Sequence, residues 1–234
     1  MSSINNTNSE AMRERLTARP ATPTNEKSAV SGLHPLRLKD TPSVLLYVPS
    51  NYRTTSPPPL VIMLHGAGGN ARDGLTSFIP VADTAGFMLL APSSRSRTWN
   101  AIMNTYNEDV RSIDKALTHI FTNYAIDPSH LAIGGFSDGA SYALSLGLAN
   151  GDLFTHIVAF SPGRLPQSSR HGKPLIYISH GTQDNILPID LCSRRIVRQL
   201  QHDHYDVSYQ EFDGPHTIPV EIAREAWAWF SASN

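Results

Sequence analysis

Residues Leu131-Ala132-Ile133-Gly134-Gly135-Phe136-Ser137-Asp138-Gly139-Ala140 decide how this chain is read. The run from Leu131 to Gly135 is apolar without alternation, the pattern of a strand buried on both faces. It leads into Gly135-Phe136-Ser137-Asp138-Gly139, a G-x-S-x-G sequence, after which Ala140 to Ala149 reads as a helix rich in small residues. Strand, sharp turn and helix around a serine make a nucleophile elbow. The turn strains the serine backbone, the glycines make room for it, and the hydroxyl is presented at a helix N-terminus. The pentapeptide by itself is common; its place between strand and helix gives it weight.

Outward from the elbow, short apolar runs alternate with helical patterns. Strands are predicted at 44–48, 60–64, 87–90, 157–160, 175–179 and 207–212. In residues 108–124, Val110, Ile113, Leu117, Ile120, Phe121 and Tyr124 recur at spacings of three and four and share one helix face. Asn107 is the expected cap of that helix. Further helices are predicted at 189–201, with Cys192, Ile196, Val197 and Leu200 inward, and at 219–230, with Ile222, Ala226, Trp227 and Phe230 inward. This alternation predicts an α/β fold, a mostly parallel sheet with helices on both faces.

Composition sets the bounds. The chain has 234 residues, a formal net charge of −1, 40% hydrophobic residues and one cysteine. That length buries about 70–75% of the unfolded surface, enough for one real core. The near-zero charge gives no reason to expect a nucleic-acid partner. A lone cysteine excludes an intrachain disulfide framework and any C-x-x-C site, and Cys192 is read as a small core residue. No apolar run is long enough to span a membrane. Residues 1–32 are polar and lack the apolar core of a secretory leader, so a solvated, disordered tail and a cytoplasmic address are expected. Residues 33–234 are expected to form a single catalytic domain.

A serine is a poor nucleophile without a base. In elbow folds the partners follow in the order serine, acid, histidine. Asp184, in His180-Gly181-Thr182-Gln183-Asp184, lies just beyond the 175–179 strand, and His216, in Gly214-Pro215-His216, just beyond the 207–212 strand. Both fall at the C-terminal ends of parallel strands, where such sheets carry their sites. His216 is the expected base and Asp184 the acid that orients it. Asp213 and Asp190 are the rival acids, and Ser112 with Lys115 a rival nucleophile pair inside the 108–124 helix. An oxyanion hole needs two backbone donors. One is expected from Asp138, the residue after the nucleophile. The other is expected from His65-Gly66-Ala67-Gly68-Gly69, with Ala67 preferred and Gly66 next. His65 is expected to brace that loop.

With these four motifs in order, the chain resembles the α/β-hydrolase superfamily over about residues 43–231. It is most similar to small serine esterases of the phospholipase/carboxylesterase and polyhydroxybutyrate-depolymerase-like groups. The resemblance implies hydrolysis of carboxylic esters through an acyl-enzyme, with no cofactor and no metal. Dienelactone hydrolases share the topology but carry cysteine where this chain has Ser137. Only about 14 residues, 161–174, separate the fifth and sixth predicted strands, where many lipases insert a lid. A minimal lid and short or soluble small-molecule esters are therefore expected. Trp99, Met103, Ile186 and Leu187 are the candidate substrate-binding residues. Two other readings compete: an acyl-protein thioesterase or lysophospholipase-like activity, and a non-catalytic binding protein on the same fold.

Overall fold

The computed structural model describes residues 14–23, 29–76, 78–100 and 108–232. Met103 and Asn107 lie outside the described residues. Eight strands appear among those described: β1 (Gly32–Leu36), β2 (Val44–Val48), β3 (Leu60–Leu64), β4 (Met88–Pro92), β5 (Leu131–Phe136), β6 (His156–Phe160), β7 (Leu175–Gly181) and β8 (Val207–Phe212). Six helices accompany them: α1 (Ala71–Leu75), α2 (Ile79–Ala85), α3 (Glu108–Asn123), α4 (Asp138–Ala149), α5 (Ser193–His202) and α6 (Val220–Ala232).

All eight strands form one sheet in the order β1-β2-β4-β3-β5-β6-β7-β8. The pairings from β4 through β8 are parallel, and β1 and β2 close one edge antiparallel. The central strands β3, β4 and β6 are buried at every position, as unbroken apolar runs require when helices cover both faces. Along β3 the side chains divide between two cores. Leu60, Ile62 and Leu64 face α3, α4 and α5 through Ile113, Leu144 and Ile196. Val61 and Met63 face α1, α2 and α6 through Leu75, Ala82 and Trp227. The second core is rich in rings: Trp227 meets Phe78, Phe87 and Phe230 at 5.0–6.0 Å between centroids. The doubly covered parallel sheet with a strand–elbow–helix at its centre is the α/β-hydrolase fold.

Several elements differ from expectation. β1 is an edge strand absent from the pattern reading. It has no alternation, and its Pro35, paired with Leu45, is tolerated only because an edge strand can spare a donor. The segment 161–174 holds no helix, so the sheet's C-terminal edge carries no folded lid there. The expected disordered tail is corrected in part, since residues 14–19 pack onto the middle of α3 and the C-terminal end of α4. The Arg15 guanidinium donates to the Asp152 carboxylate at 2.6 and 2.7 Å and to the Ala149 carbonyl at 2.6 Å. Leu16, 2% exposed, sits in the core with its amide on Asn150 Oδ1 at 2.8 Å. The Thr17 and Ala18 amides and the Thr17 hydroxyl all donate to Asp114 at 2.5–2.8 Å. Average polarity misleads here because specific carboxylates and one buried asparagine satisfy the strap's backbone. No described helix is long and apolar enough to cross a membrane.

Candidate active site

The C-terminal ends of β3, β5, β7 and β8 converge on one edge of the sheet, and the site is built there. At the end of β5, Ser137 has φ +57° and ψ −120°, a conformation costly for a residue with a Cβ. The chain can turn so sharply because both flanking glycines touch backbone. A Cβ on Gly135 would lie 2.4 Å from the Gly139 carbonyl carbon, and one on Gly139 would lie 2.2 Å from the Leu64 carbonyl oxygen. The Ser137 amide donates to the Phe160 carbonyl at 2.9 Å, fixing the elbow to β6. One turn into α4, the Ser141 hydroxyl oxygen accepts the Gly163 and Arg164 amides at 3.0 and 3.2 Å. The chain leaving β6 is thereby tied to the elbow.

At the ends of β7 and β8, His216 Nδ1 lies 2.5 Å from Asp184 Oδ2. The Asp184 side chain is fully buried and that of His216 is 14% exposed. Asp184 Oδ1 accepts the Ile186 and Leu187 amides at 2.9 and 2.8 Å. Burial raises the proton affinity of this carboxyl, but the Leu187 amide, His216 and the Ile186 amide outweigh it and hold it below the usual carboxylate value. An ionised carboxylate only accepts, so the shared proton is on His216 Nδ1, and in the neutral ring the lone pair is on Nε2. Phe136, the residue before Ser137, packs on the His216 ring at 4.6 Å. The rival groups are engaged elsewhere. Asp213 accepts from Gln183 Nε2 at 2.6 Å, and Asp190 pairs with Arg194 at 2.9 Å. Ser112 Oγ donates to the Glu108 carbonyl and Lys115 Nζ to that of Lys39.

The loop after β3 is braced from inside. His65 Nε2 accepts the Ser94 amide at 3.0 Å, so its proton is on Nδ1, which donates to the Gly66 carbonyl at 2.7 Å. Burial lowers the His65 proton affinity against the pull of that carbonyl, Asp73 and Asp109, and the ring stays neutral. The Gly66 carbonyl also accepts the Gly69 amide at 3.1 Å. With that oxygen held to one side, planarity turns the Ala67 N–H of the same peptide to the other. Gly66 borders the elbow, since a Cβ there would lie 3.4 Å from Ser137 Cβ. The Asp138 side chain accepts from Thr98 Oγ1 at 2.8 Å, joining the elbow to the loop after β4. Buried Asp109 holds the same loop by accepting the Arg95 and Asn100 amides at 3.0 and 2.8 Å.

Trp99 is corrected from a candidate substrate wall to a buried brace. It is 0% exposed, stacks on Tyr142 at 5.2 Å and donates Nε1–H to the His65 carbonyl at 2.9 Å. Ile186 is 66% exposed, and Leu187 is half-buried against Gly163. A cavity of about 230 Å³ borders the site, lined by His216 itself with Met63, Gly66, Phe78, Phe136 and Ile218 among others. Sequence reasoning also missed His180, four residues before Asp184. It is wholly buried, with Nε2 2.8 Å from the Leu187 carbonyl and 3.0 Å from Asp184 Oδ2. The available signal was its place at a strand end, on the same turn as the acid.

A profile of the phospholipase/carboxylesterase family matches residues 87–223. Among curated proteins, "Probable feruloyl esterase C" of Aspergillus flavus is 27% identical over 173 residues, covering 70% of this chain. That alignment spans 62% of the relative's own length. Among solved structures, esterase PE8 superposes with a TM-score of 0.65 at 21% identity, over 80% of this chain and 96% of that one. A ferulic acid esterase from Anaeromyces mucronatus, solved with ferulic acid, gives 0.66 at 17% identity, over 91% and 95% of the two chains. These structural likenesses carry the fold.

Proposed function

The chain belongs to the phospholipase/carboxylesterase family, and from that premise we propose that it hydrolyses carboxylic esters of short or soluble acyl groups through an acyl-enzyme. Ser137 Oγ attacks the acyl carbon while His216 Nε2 takes its proton. The oxyanion forms against the Ala67 and Asp138 amides. The tetrahedral species collapses, the C–O bond to the alcohol breaks, and His216 returns the proton to the leaving oxygen. Water, deprotonated by the same Nε2, then attacks the acyl-serine; the bond to Ser137 Oγ breaks, His216 returns its proton to that oxygen, and the carboxylic acid leaves. Asp184 holds the imidazole tautomer and stabilises its charged form.

The observation that carries this reading is the 2.5 Å contact between His216 Nδ1 and Asp184 Oδ2, which leaves Nε2 as a base beside a strained serine elbow. The cavity beside His216 supports a compact acyl group, since about 230 Å³ is below the roughly 300–1,000 Å³ of sites for drug-sized ligands. The names of the relatives favour a second reading within the same chemistry, a compact aromatic acyl group such as feruloyl, and Phe78, Phe136 and Ile218 would give it apolar walls. The test is hydrolysis of p-nitrophenyl esters from acetyl to palmitoyl, with methyl ferulate alongside and Ser137→Ala purified in parallel. Activity on short or feruloyl esters, reduced about 10⁶-fold in Ser137→Ala, is expected. A maximum at long chains would move the assignment to a lysophospholipase or thioesterase. Inertness on every ester, with no labelling by a fluorophosphonate, would revive the non-catalytic reading.

A further inference from the structure

The His180 ring is enclosed on every side, and both of its nitrogens are engaged. Nε2 faces two acceptors, the Leu187 carbonyl at 2.8 Å and Asp184 Oδ2 at 3.0 Å. A carbonyl oxygen cannot donate, so the ring proton is on Nε2 and Nδ1 is an acceptor. Ser193 Oγ, 2.5 Å from Nδ1, is then the donor to it. Burial lowers the ring's proton affinity despite the Leu187 carbonyl and Asp184, so it stays neutral. The turn it grips is the one that feeds Asp184. Leu187 offers its carbonyl to His180 and its amide to Asp184 Oδ1. Asp184 Oδ2 is the oxygen that also meets His216.

The geometry points to His180 as a positioning residue for the acid: its Nε2 donates its proton to the Leu187 carbonyl and lies 3.0 Å from Asp184 Oδ2, and so sets how strongly Asp184 engages His216. Ser193 completes the chain by holding the His180 tautomer. This inference rests on the assignment of Asp184 and His216 proposed above. Each donor to Oδ2 draws off part of its negative charge. Removing the His180 donor leaves more of that charge on His216, which favours the protonated imidazole, and it frees the 184–187 turn. The other ionisable groups packed around this ring are accounted for. Cys192 at the start of α5 has a thiol pushed up by burial and by Asp184. Glu211 on β8 is held below its usual value by the Arg194 guanidinium.

The test compares the wild type with His180→Phe, His180→Gln and Ser193→Ala. Phenylalanine keeps the ring and loses the donor, whereas glutamine reaches the Nε2 position with an amide N–H. For His180→Phe, kcat should fall about ten- to a hundredfold, the effect of one lost hydrogen bond to a charged group. KM should stay within about twofold, and the acid limb of kcat/KM should move to higher pH. His180→Gln should recover most of kcat and return the limb, and Ser193→Ala should show a smaller shift in the same direction. An unshifted pH profile in His180→Phe, or a loss that tracks Tm and is not recovered by glutamine, overturns the proposal. Fluorophosphonate labelling of wild type but not of Ser137→Ala tests the parent reading separately. If the wild type is inert, the low-field proton resonance of His216 Nδ1–H still decides the question. It should move in His180→Phe and stay in Ser137→Ala, and no movement overturns the link.

Discussion

Trp99 Nε1 donates to the His65 carbonyl at 2.9 Å while the two rings face each other at 4.8 Å. A residue with no exposed surface therefore fixes the base of the loop proposed to receive the oxyanion. Trp99→Phe keeps a ring for the Tyr142 stack but strands a buried carbonyl. The expected cost is about 1–3 kcal/mol of stability, read from the urea midpoint. With the loop loosened, kcat should drop more than KM rises. A kcat equal to wild type at that stability loss would separate the brace from the chemistry.

The elbow's glycines make a sharper prediction. Gly139→Ala would drive a Cβ to 2.2 Å from the Leu64 carbonyl oxygen, with the His65 carbonyl oxygen at 2.5 Å, and neither neighbour is a flexible side chain that can yield. Gly68, by contrast, has open space around it and suffers only from its φ of +75°. Gly68→Ala should cost about 1–2 kcal/mol. Gly139→Ala should exceed about 4 kcal/mol, the range reserved for such clashes, or fail to fold. Thermal unfolding of the two side by side checks the ranking.

Parts of this architecture were legible because they follow from backbone chemistry. Unbroken apolar runs such as Leu60–Leu64 need two covering layers, and a serine between a strand and a helix needs glycines. Asp184 and His216, the proposed acid and base, sit just past strands whose ends were readable. What escaped the sequence depends on single contacts. A five-residue helix such as α1 is too short for periodicity, and its reciprocal Asn70–Asp73 capping box is seen only in the structure. Trp99 reads equally as pocket wall or core until the His65 carbonyl is seen beneath it. His180 looks like any strand-end histidine until the 184–187 turn folds back onto it.

The amino-terminal strap yields a stability prediction. Asn150, wholly buried, accepts the Leu16 amide at 2.8 Å and donates to the Glu14 and Leu146 carbonyls at 2.8 and 2.9 Å. Asn150→Ala leaves those groups unpaired. A loss of about 1–3 kcal/mol with unchanged KM is expected. Truncation of residues 1–19 should destabilise by a similar or larger amount and uncover the Leu16 site. If truncation leaves Tm untouched, the packed strap contributes nothing in solution.

His156 sets an acid limit. Its ring is buried beneath Trp229 and Phe230, at centroid distances of 5.3 and 4.9 Å, and Nε2 has no partner among the described residues. Burial, with His130 adding to it, pushes its pKa down to about 4. The unfolded chain titrates near 6.5 and so binds more protons than the folded one between those values. Stability is thus complete above about pH 6.5 and falls as pH drops toward 4, by on the order of 3 kcal/mol. His156→Phe keeps the ring and cannot titrate, so its urea midpoint should be flatter across that window. An equal slope in both proteins would place the acid sensitivity elsewhere.

Two carboxylates, one near His216 in the chain and one far from it, give the decisive comparison. Asp184 lies 32 residues upstream and Asp213 only three, yet Asp184 Oδ2 is 2.5 Å from Nδ1 and Asp213 accepts from Gln183 at the surface. Asp184→Asn keeps the shape but brings an N–H₂ to a position that must accept, so the imidazole is held in the wrong tautomer. The expected loss in kcat is on the order of 10⁴-fold, with folding intact if the Ile186 and Leu187 amides keep their acceptor at Oδ1. Asp213→Asn exchanges one exposed hydrogen-bond acceptor for another and should stay within about twofold of wild type. The pair discriminates in both directions. A dead Asp213→Asn beside a healthy Asp184→Asn would reassign the acid, and with it the role of His180. Equal, modest losses in both would mean that His216 is not oriented by a single carboxylate.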